Sequence, residues 1–308
     1  GDTSAVAAQL TNVKSIHSTW GAFAALKTNG DVVAWPIDTS AVTGQLNNIK
    51  AVYSNHWAFA ALKHDGTVIS WGGSNYGGDS SAVTAQLTGV KEVVGNYHSF
   101  AALKRDGTVV AWGPSYYLGD TSVLATLDNV QSLSTTDNGY AALKSDGTVV
   151  TWGTSGDGGD SSGISNLLYD VVKIESSAHA FVAVQRNGNL VTWGGGVTDG
   201  IVFNVSKVQS VIANTSAFAA LRTDGTVNVW GSSNSGGDSA DVAGLTNVVA
   251  IYSSPKGSAF AALKSDGTVY TWGSSFGGGD SSGVSSQLIN VKSISVANSA
   301  FVATSTGL

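Results

Sequence analysis

Seven times along this chain an aromatic residue opens an apolar run, the run passes through Asp-Gly or Asn-Gly, and a second run closes on tryptophan. AALKSDGTVVTWG, residues 141 to 153, follows one such aromatic. The opening aromatics are Phe23, Phe59, Phe100, Tyr140, Phe181, Phe218 and Phe260, at intervals of 36, 41, 40, 41, 37 and 42 residues. The closing tryptophans are Trp35, Trp71, Trp112, Trp152, Trp193, Trp230 and Trp272. A period near 40 residues is the length of one supersecondary unit, so the chain must fold as an array of equivalent units.

Within a unit, two apolar runs joined by Asp-Gly predict a β-hairpin, because these residues tolerate the positive φ angles of a type I′ turn. Neither run alternates apolar with polar. The strands are therefore expected to be covered on both faces, as in sheets packed face to face around an axis. Between hairpins run connectors such as GGDSSAVTAQLTGVKEVVG, residues 77 to 95. In each, Gly-Asp-Ser/Thr predicts a capped turn or short helix, and a strand of the VKSI type follows.

These units predict an all-β fold, a seven-bladed β-propeller of roughly 40-residue repeats in a single domain spanning residues 1–308. Half a repeat remains at a terminus, as an overhang or as an incomplete eighth blade. Since a ring must pair its first and last strands to remove free edges, one terminus is expected to close it.

Composition narrows the function classes. The formal net charge of −6 offers no attraction to nucleic acid or an anionic membrane. No apolar run reaches the roughly 18 residues of a membrane span. Without cysteine, thiolate metal sites, disulfides and a cysteine nucleophile are all excluded. Methionine is absent even at position 1, so we expect a processed product, a fragment or a trimmed chain. Asn204 and Asn214 each open an Asn-x-Ser/Thr sequon, an acceptor for glycans only in a chain secreted by a eukaryote.

The order GTVVTWG, Gly-rich loop, apolar connector, VKSI and AFAALK resembles the repeats of the regulator of chromosome condensation family over essentially the whole chain. The resemblance implies blades that are four-stranded sheets around a central channel. In repeat style the sequence is most similar to the family's secreted bacterial β-lactamase inhibitor branch, which implies an exported protein. The family's guanine nucleotide exchange activity beside DNA fits an acidic chain with no basic tail less well. Its G-W-R-H-T photoreceptor motif is absent.

No catalytic constellation emerges, and we expect a chain that is not an enzyme and holds no cofactor or metal. Asp65, Asp106, Asp146, Asp224 and Asp266 belong to the Asp-Gly turns. Asp79, Asp120, Asp160, Asp238 and Asp280 each precede Ser or Thr, where turn capping explains them better than calcium, which needs six to eight oxygens. His17, His56, His98 and His179 precede the AFAAL strands at unequal offsets of 6, 3, 2 and 2 from the aromatic, so they do not form one repeated metal position.

The loops before those strands are what varies from unit to unit. Equivalent loops of a propeller share one face. The expected working surface is therefore a rim of Trp20, His56, Trp57, Tyr97, His98, Asp137, His179 and Lys256 that binds a protein partner. The competing expectation is a structural repeat subunit of a larger extracellular or multi-subunit assembly. Exchange-factor-like activity comes third.

Overall fold

A computed structural model describes residues 2–197, 199–200, 202–204, 207–254 and 257–305. Among these residues the strands form eight antiparallel sheets: six of three strands, one of four and one of two. The fold is an all-β, propeller-like array of seven blades plus a two-stranded eighth sheet. Each blade is built in chain order from the VKSI strand, the AFAAL strand and the strand that ends at tryptophan. In the second blade these are Ile49–Ser54, Ala58–Lys63 and Val68–Gly72. The remainder lies at the C-terminal side, as Val291–Val296 paired with Phe301–Ser305. The N-terminal strand Val13–Ser18 belongs to a full first blade, with Phe23–Lys27 and Val32–Trp35.

The resemblance implies a fourth strand in every blade, and most blades do not form one. Among the described residues, only the blade beginning at Val171–Ser176 adds a fourth, Val202–Asn204. Elsewhere the connector winds into 3-10 turns such as Ser81–Gln86, Ser162–Leu167 and Ser282–Gln287. The Gly-Asp-Ser motif sets these turns. Oδ1 of Asp79, Asp160 and Asp280 accepts the backbone N–H two residues ahead at 2.9 Å. This side-chain-to-backbone turn, one residue before the N-cap serine, bends the chain where an extended fourth strand would have to begin.

The Asp-Gly turn also differs in type from the sequence expectation. Lys63 O accepts the N–H of Gly66, and Lys63 N–H donates to Thr67 O. Only Gly66 has positive φ, +86°, while Asp65 stays at negative φ. This is a type I turn followed by a left-handed glycine bulge. Aspartate is selected because Oδ1 of Asp65 accepts both the N–H and the hydroxyl of Thr67, at 2.9 and 2.7 Å. The Asp-Gly-Thr triplet is thus one hydrogen-bonded unit, repeated at Asp106, Asp146, Asp224 and Asp266.

The chain divides into two compact units, residues 1–155 and 156–308. In the first, central strands are buried on both faces. Phe59 and Ala61 pack toward the first blade with Ala24, Leu26 and Trp71. Ala58, Ala60 and Leu62 pack toward the third with Val93, Phe100 and Trp112. The alanines let a neighbouring sheet approach while the rings opposite fill the gap, which is why this strand reads as a continuous apolar run. In the second unit, Ala217, Ala219 and Leu221 meet Phe260 and Trp272 in the same way.

Each repeated tryptophan is buried and stacks on the opening aromatic of its own hairpin, with centroids 5.3 Å apart for Phe59 and Trp71 and 4.9 Å for Tyr140 and Trp152. Nε1 of Trp112, Trp193 and Trp272 donates to a glycine carbonyl of the preceding Gly-rich loop, at Gly77, Gly158 and Gly236. Those glycines have φ of +79°, +81° and +87° and press on the next aromatic, so that a Cβ on Gly77 would sit 2.9 Å from the Phe100 ring. Where the loop departs from this form the acceptor is lost. Trp35-Pro36-Ile37-Asp38 is too short to place such a glycine, Leu118 stands in the place of Gly77, and Nε1 of Trp71 and Trp152 is buried with no hydrogen-bond partner among the described residues.

Candidate functional site

The hairpins that open most of the AFAAL strands turn through two residues; between Ser254 and Ala259 the connection is longer and includes residues outside those described. Ser18 pairs with Phe23, Thr19 N–H donates to Ala22 O, and Trp20-Gly21 forms the tip. The same bonds, from Asn55 to Ala58, Asn96 to Ser99, Thr136 to Gly139, Ser177 to Ala180 and Asn214 to Ala217, leave His56-Trp57, Tyr97-His98, Asp137-Asn138, Ala178-His179 and Thr215-Ser216 as equivalent tips.

One polar residue anchors each tip. Asn55 Oδ1 accepts from Trp57 and Ala58 N–H, and its Nδ2 donates to Tyr76 O at 2.6 Å. Asn96 Oδ1 accepts from the N–H of His98 and Ser99 and from the Ser99 hydroxyl. Thr19, Thr136 and Ser177 do the same work with a hydroxyl. Asn214, the second sequon asparagine, is one of these anchors. It is 3% exposed, bonded to Ser216, Ala217 and Ser235, and therefore closed to a glycan. The Asn204 sequon runs into residues outside those described.

Neighbouring tips are stitched together in the first unit. Trp20 N–H donates to His56 O, and Tyr97 N–H to Asp137 O, both at 2.9 Å. His56 stacks on Tyr97 at 4.0 Å and bonds its hydroxyl through Nε2 at 2.8 Å. Trp20 lies 5.6 Å from His56. His98 Nδ1 contacts Asn138 Oδ1 at 2.6 Å. Burial of its ring edge, with Tyr76, Asp137 and Tyr117 nearby, pushes the Tyr97 phenol above its ordinary pKa and keeps it a neutral hydrogen-bonding group.

Two further aromatics complete the surface and come from the Gly-rich loops after tryptophan. Tyr76 stacks on His98 at 5.2 Å, and Tyr117 stacks on the same imidazole at 3.6 Å with parallel planes. Tyr116 packs edge-on against Tyr117 and is 82% exposed. Trp20, Trp57, Tyr97, His98, Tyr76 and Tyr117 thus belong to one chain of ring contacts across three blades, with Asp137 and Asn138 at its end. The expected rim of tips is joined in this unit by the Gly-rich loops, which that expectation did not include. The tyrosines carried a signal: Tyr76 and Tyr117 hold the loop position taken by Asp157, Ser235 and Gly277 in other repeats.

The remaining expected residues fall elsewhere. His179 is in the second unit, where Nδ1 contacts Asp157 Oδ1 at 2.8 Å, the polar counterpart of Tyr76 against His98. Lys256 lies outside the described residues. His17 is in the first strand of the first blade, bonded to the Ser15 hydroxyl, and burial lowers its pKa.

Beside Trp57 a cavity of about 210 Å³ is lined by Thr19, Gly21, Pro36, Ile37, Asp38 and Trp57 among others. A larger one, about 630 Å³, opens between the connectors of the first two blades, where Asp38 and Asp79 are its titratable groups. Among the described residues no group of three or more His, Cys, Asp or Glu could hold a metal ion, and no helix is long and apolar enough to cross a membrane.

No protein-family model matches the sequence. No curated protein matches it either. Among solved structures the chain is similar to propellers of the regulator of chromosome condensation type at low identity. The Saccharomyces cerevisiae Prp20p structure is 15% identical over 76% of this chain and 74% of its own, with a TM-score of 0.44. The CRINKLY WD40 ectodomain of the Arabidopsis thaliana receptor kinase ACR4 is 16% identical over 86% and 98%, with a TM-score of 0.46. Human WBSCR16 is 18% identical over 79% of each chain, with a TM-score of 0.45.

Proposed function

We propose that this chain is a non-enzymatic recognition propeller, exported from the cell, that binds a protein partner through its hairpin tips. The observation that supports this reading is the run of stacked, partly exposed aromatics from Trp20 to Tyr117, set on tips whose backbones are already hydrogen-bonded. Rigid aromatic groups give large contact area at small entropic cost, and they concentrate binding energy at protein interfaces. The likeness of repeat style to β-lactamase inhibitor protein II is consistent with recognition in place of chemistry.

The test is the double substitution Trp57→Ala with Tyr97→Ala. It should weaken partner binding by at least about 2 kcal/mol, the hot-spot threshold, and change unfolding little, since both rings are more than a third exposed. Undiminished affinity of the folded double variant would refute the assignment.

A second reading, a structural repeat subunit of a larger assembly, is favoured by two exposed positions. Ile16 and Val302 are 61% and 56% exposed, whereas their counterparts Val52 and Ala60 are 3% and 0% exposed. Light scattering on the purified chain separates the readings: a structural subunit self-associates, and a recognition module stays monomeric until its partner is added.

A further inference from the structure

The surface built on the tips of residues 1–155 has a one-sided chemistry. All eight lysines and arginines of this unit, Lys14, Lys27, Lys50, Lys63, Lys91, Lys104, Arg105 and Lys144, lie toward the opposite ends of the strands. Register places Lys27 opposite Val13, Lys63 opposite Ile49 and Lys104 opposite Val90, whereas the tips begin at Ser18, Ser54 and Gly95. Four or five strand steps of about 3.4 Å separate them from the tips, roughly 13 to 17 Å. That exceeds the screening length of about 8 Å at physiological salt, so the tips feel mainly their own charges. Those include the carboxylates of Asp137, itself a tip residue, of Asp38, which lines the cavity beside Trp57, and of Asp79 at the equivalent place in the next connector.

The cavity beside Trp57 joins one of these carboxylates to apolar groups. Pro36, Ile37 and the indole make apolar walls, and Asp38 stands at the side. Asp38 Oδ1 accepts the N–H of Ser40 at 2.8 Å, which holds the carboxylate in place and lowers its pKa. A carboxylate has a second oxygen for a further donor. Apolar walls, an aromatic face and a fixed anion are what a long cationic side chain seeks, with the stem against the walls and the head between ring and carboxylate.

We infer that the cavity beside Trp57 receives an arginine or lysine side chain of a basic segment in the protein partner, and that the neighbouring rings of Tyr97, Tyr76 and Tyr117 stack on the rest of that segment. This rests on the protein-recognition reading above and names the chemistry of the partner.

The experiment uses a capped hexa-arginine peptide as probe, followed by tryptophan fluorescence and calorimetry on the full chain. Binding should saturate. Asp38→Asn, which keeps the Ser40 cap, and Trp57→Ala should each weaken it about tenfold, the order of one charge-assisted hydrogen bond or cation–π contact. Asp106→Asn, which removes the same charge at the opposite strand end, should leave it unchanged. Equal weakening by Asp38→Asn and Asp106→Asn would overturn the inference, because net charge alone would then explain binding. So would a neutral oligosaccharide, cellohexaose, binding through Trp57 where hexa-arginine does not. If a protein partner that depends on Trp57 and Tyr97 is indifferent to Asp38→Asn and to hexa-arginine competition, this inference fails and protein recognition stands. If cellohexaose alone binds, both fail.

Discussion

Trp71 and Trp112 form a matched pair that isolates one hydrogen bond. Both are buried, at 2% and 3% exposure, and both stack on their own Phe, at 5.3 and 5.4 Å. They differ in that Trp112 Nε1 donates to Gly77 O at 2.9 Å, whereas Trp71 Nε1 is buried without a partner. Replacing either by Phe removes the same atoms, so the transfer and cavity costs nearly cancel in the comparison. Trp112→Phe additionally loses a bond worth about 1 kcal/mol and leaves the Gly77 carbonyl without that donor, a further 1 to 3 kcal/mol or so. Trp71→Phe instead removes an unsatisfied buried donor and recovers a similar amount. Trp112→Phe should therefore be more destabilising than Trp71→Phe by at least about 2 kcal/mol. Equilibrium urea unfolding of the two variants, followed by far-ultraviolet circular dichroism, measures the gap as a difference in midpoint at common slope. Equal destabilisation, or the reverse order, would refute the account of why the Gly-rich loops keep a glycine carbonyl before tryptophan.

Other outcomes follow from the same structure. Gly77→Ala should destabilise by more than about 1 kcal/mol, since it combines left-handed backbone with a Cβ against Phe100; a thermal melt equal to the parent's would count against it. Trp152→Ala should cost about 3 to 5 kcal/mol by emptying a large aromatic site between blades, and calorimetry reads it. Asn96→Ala should cost about 1 to 3 kcal/mol, because three donors lose one acceptor; hydrogen exchange localises the loss to the Tyr97-His98 tip. The turn carboxylates Asp65, Asp106, Asp146, Asp224 and Asp266 all have pKa values lowered from 3.8, chiefly by the Thr hydroxyl and N–H. Their folded values lie below the unfolded ones, so their contribution is complete above pH 3.8 and disappears as pH falls through the lower folded values. An acid unfolding curve should steepen there, and Asp→Asn at these positions should flatten it.

How much was readable depended on whether a signal lay within one repeat or between two. Trp71 stacking on Phe59, and Asp65 in its turn, are contacts inside one hairpin, and residue order alone exposes them. The turn type was misread because Asp-Gly satisfies two turns; only the hydroxyl of Thr67, accepted by Asp65, decides between them. The fourth strand, implied by the resemblance, is mostly replaced by turns, since the Asp79 side chain and its equivalents bond the backbone two residues ahead before any sheet edge is available. The meeting of Tyr76 with His98 lies between blades. No spacing within either repeat encodes it, so the expected rim contained the tips without the tyrosines of the Gly-rich loops.

The two-residue tips carry a consequence for how such a surface changes over time. Thr19, Asn55, Asn96, Thr136, Ser177 and Asn214 satisfy each tip from below, so the outward residues are excused from holding the hairpin shut. Selection can therefore rewrite these positions one pair at a time, like movable type in a locked frame, without reopening the question of whether the chain folds. The blades supply heredity and the tips supply vocabulary. A library that randomises only the six tip pairs from Trp20-Gly21 to Thr215-Ser216 should yield folded proteins at a far higher rate than one that spreads the same number of changes over the AFAAL strands.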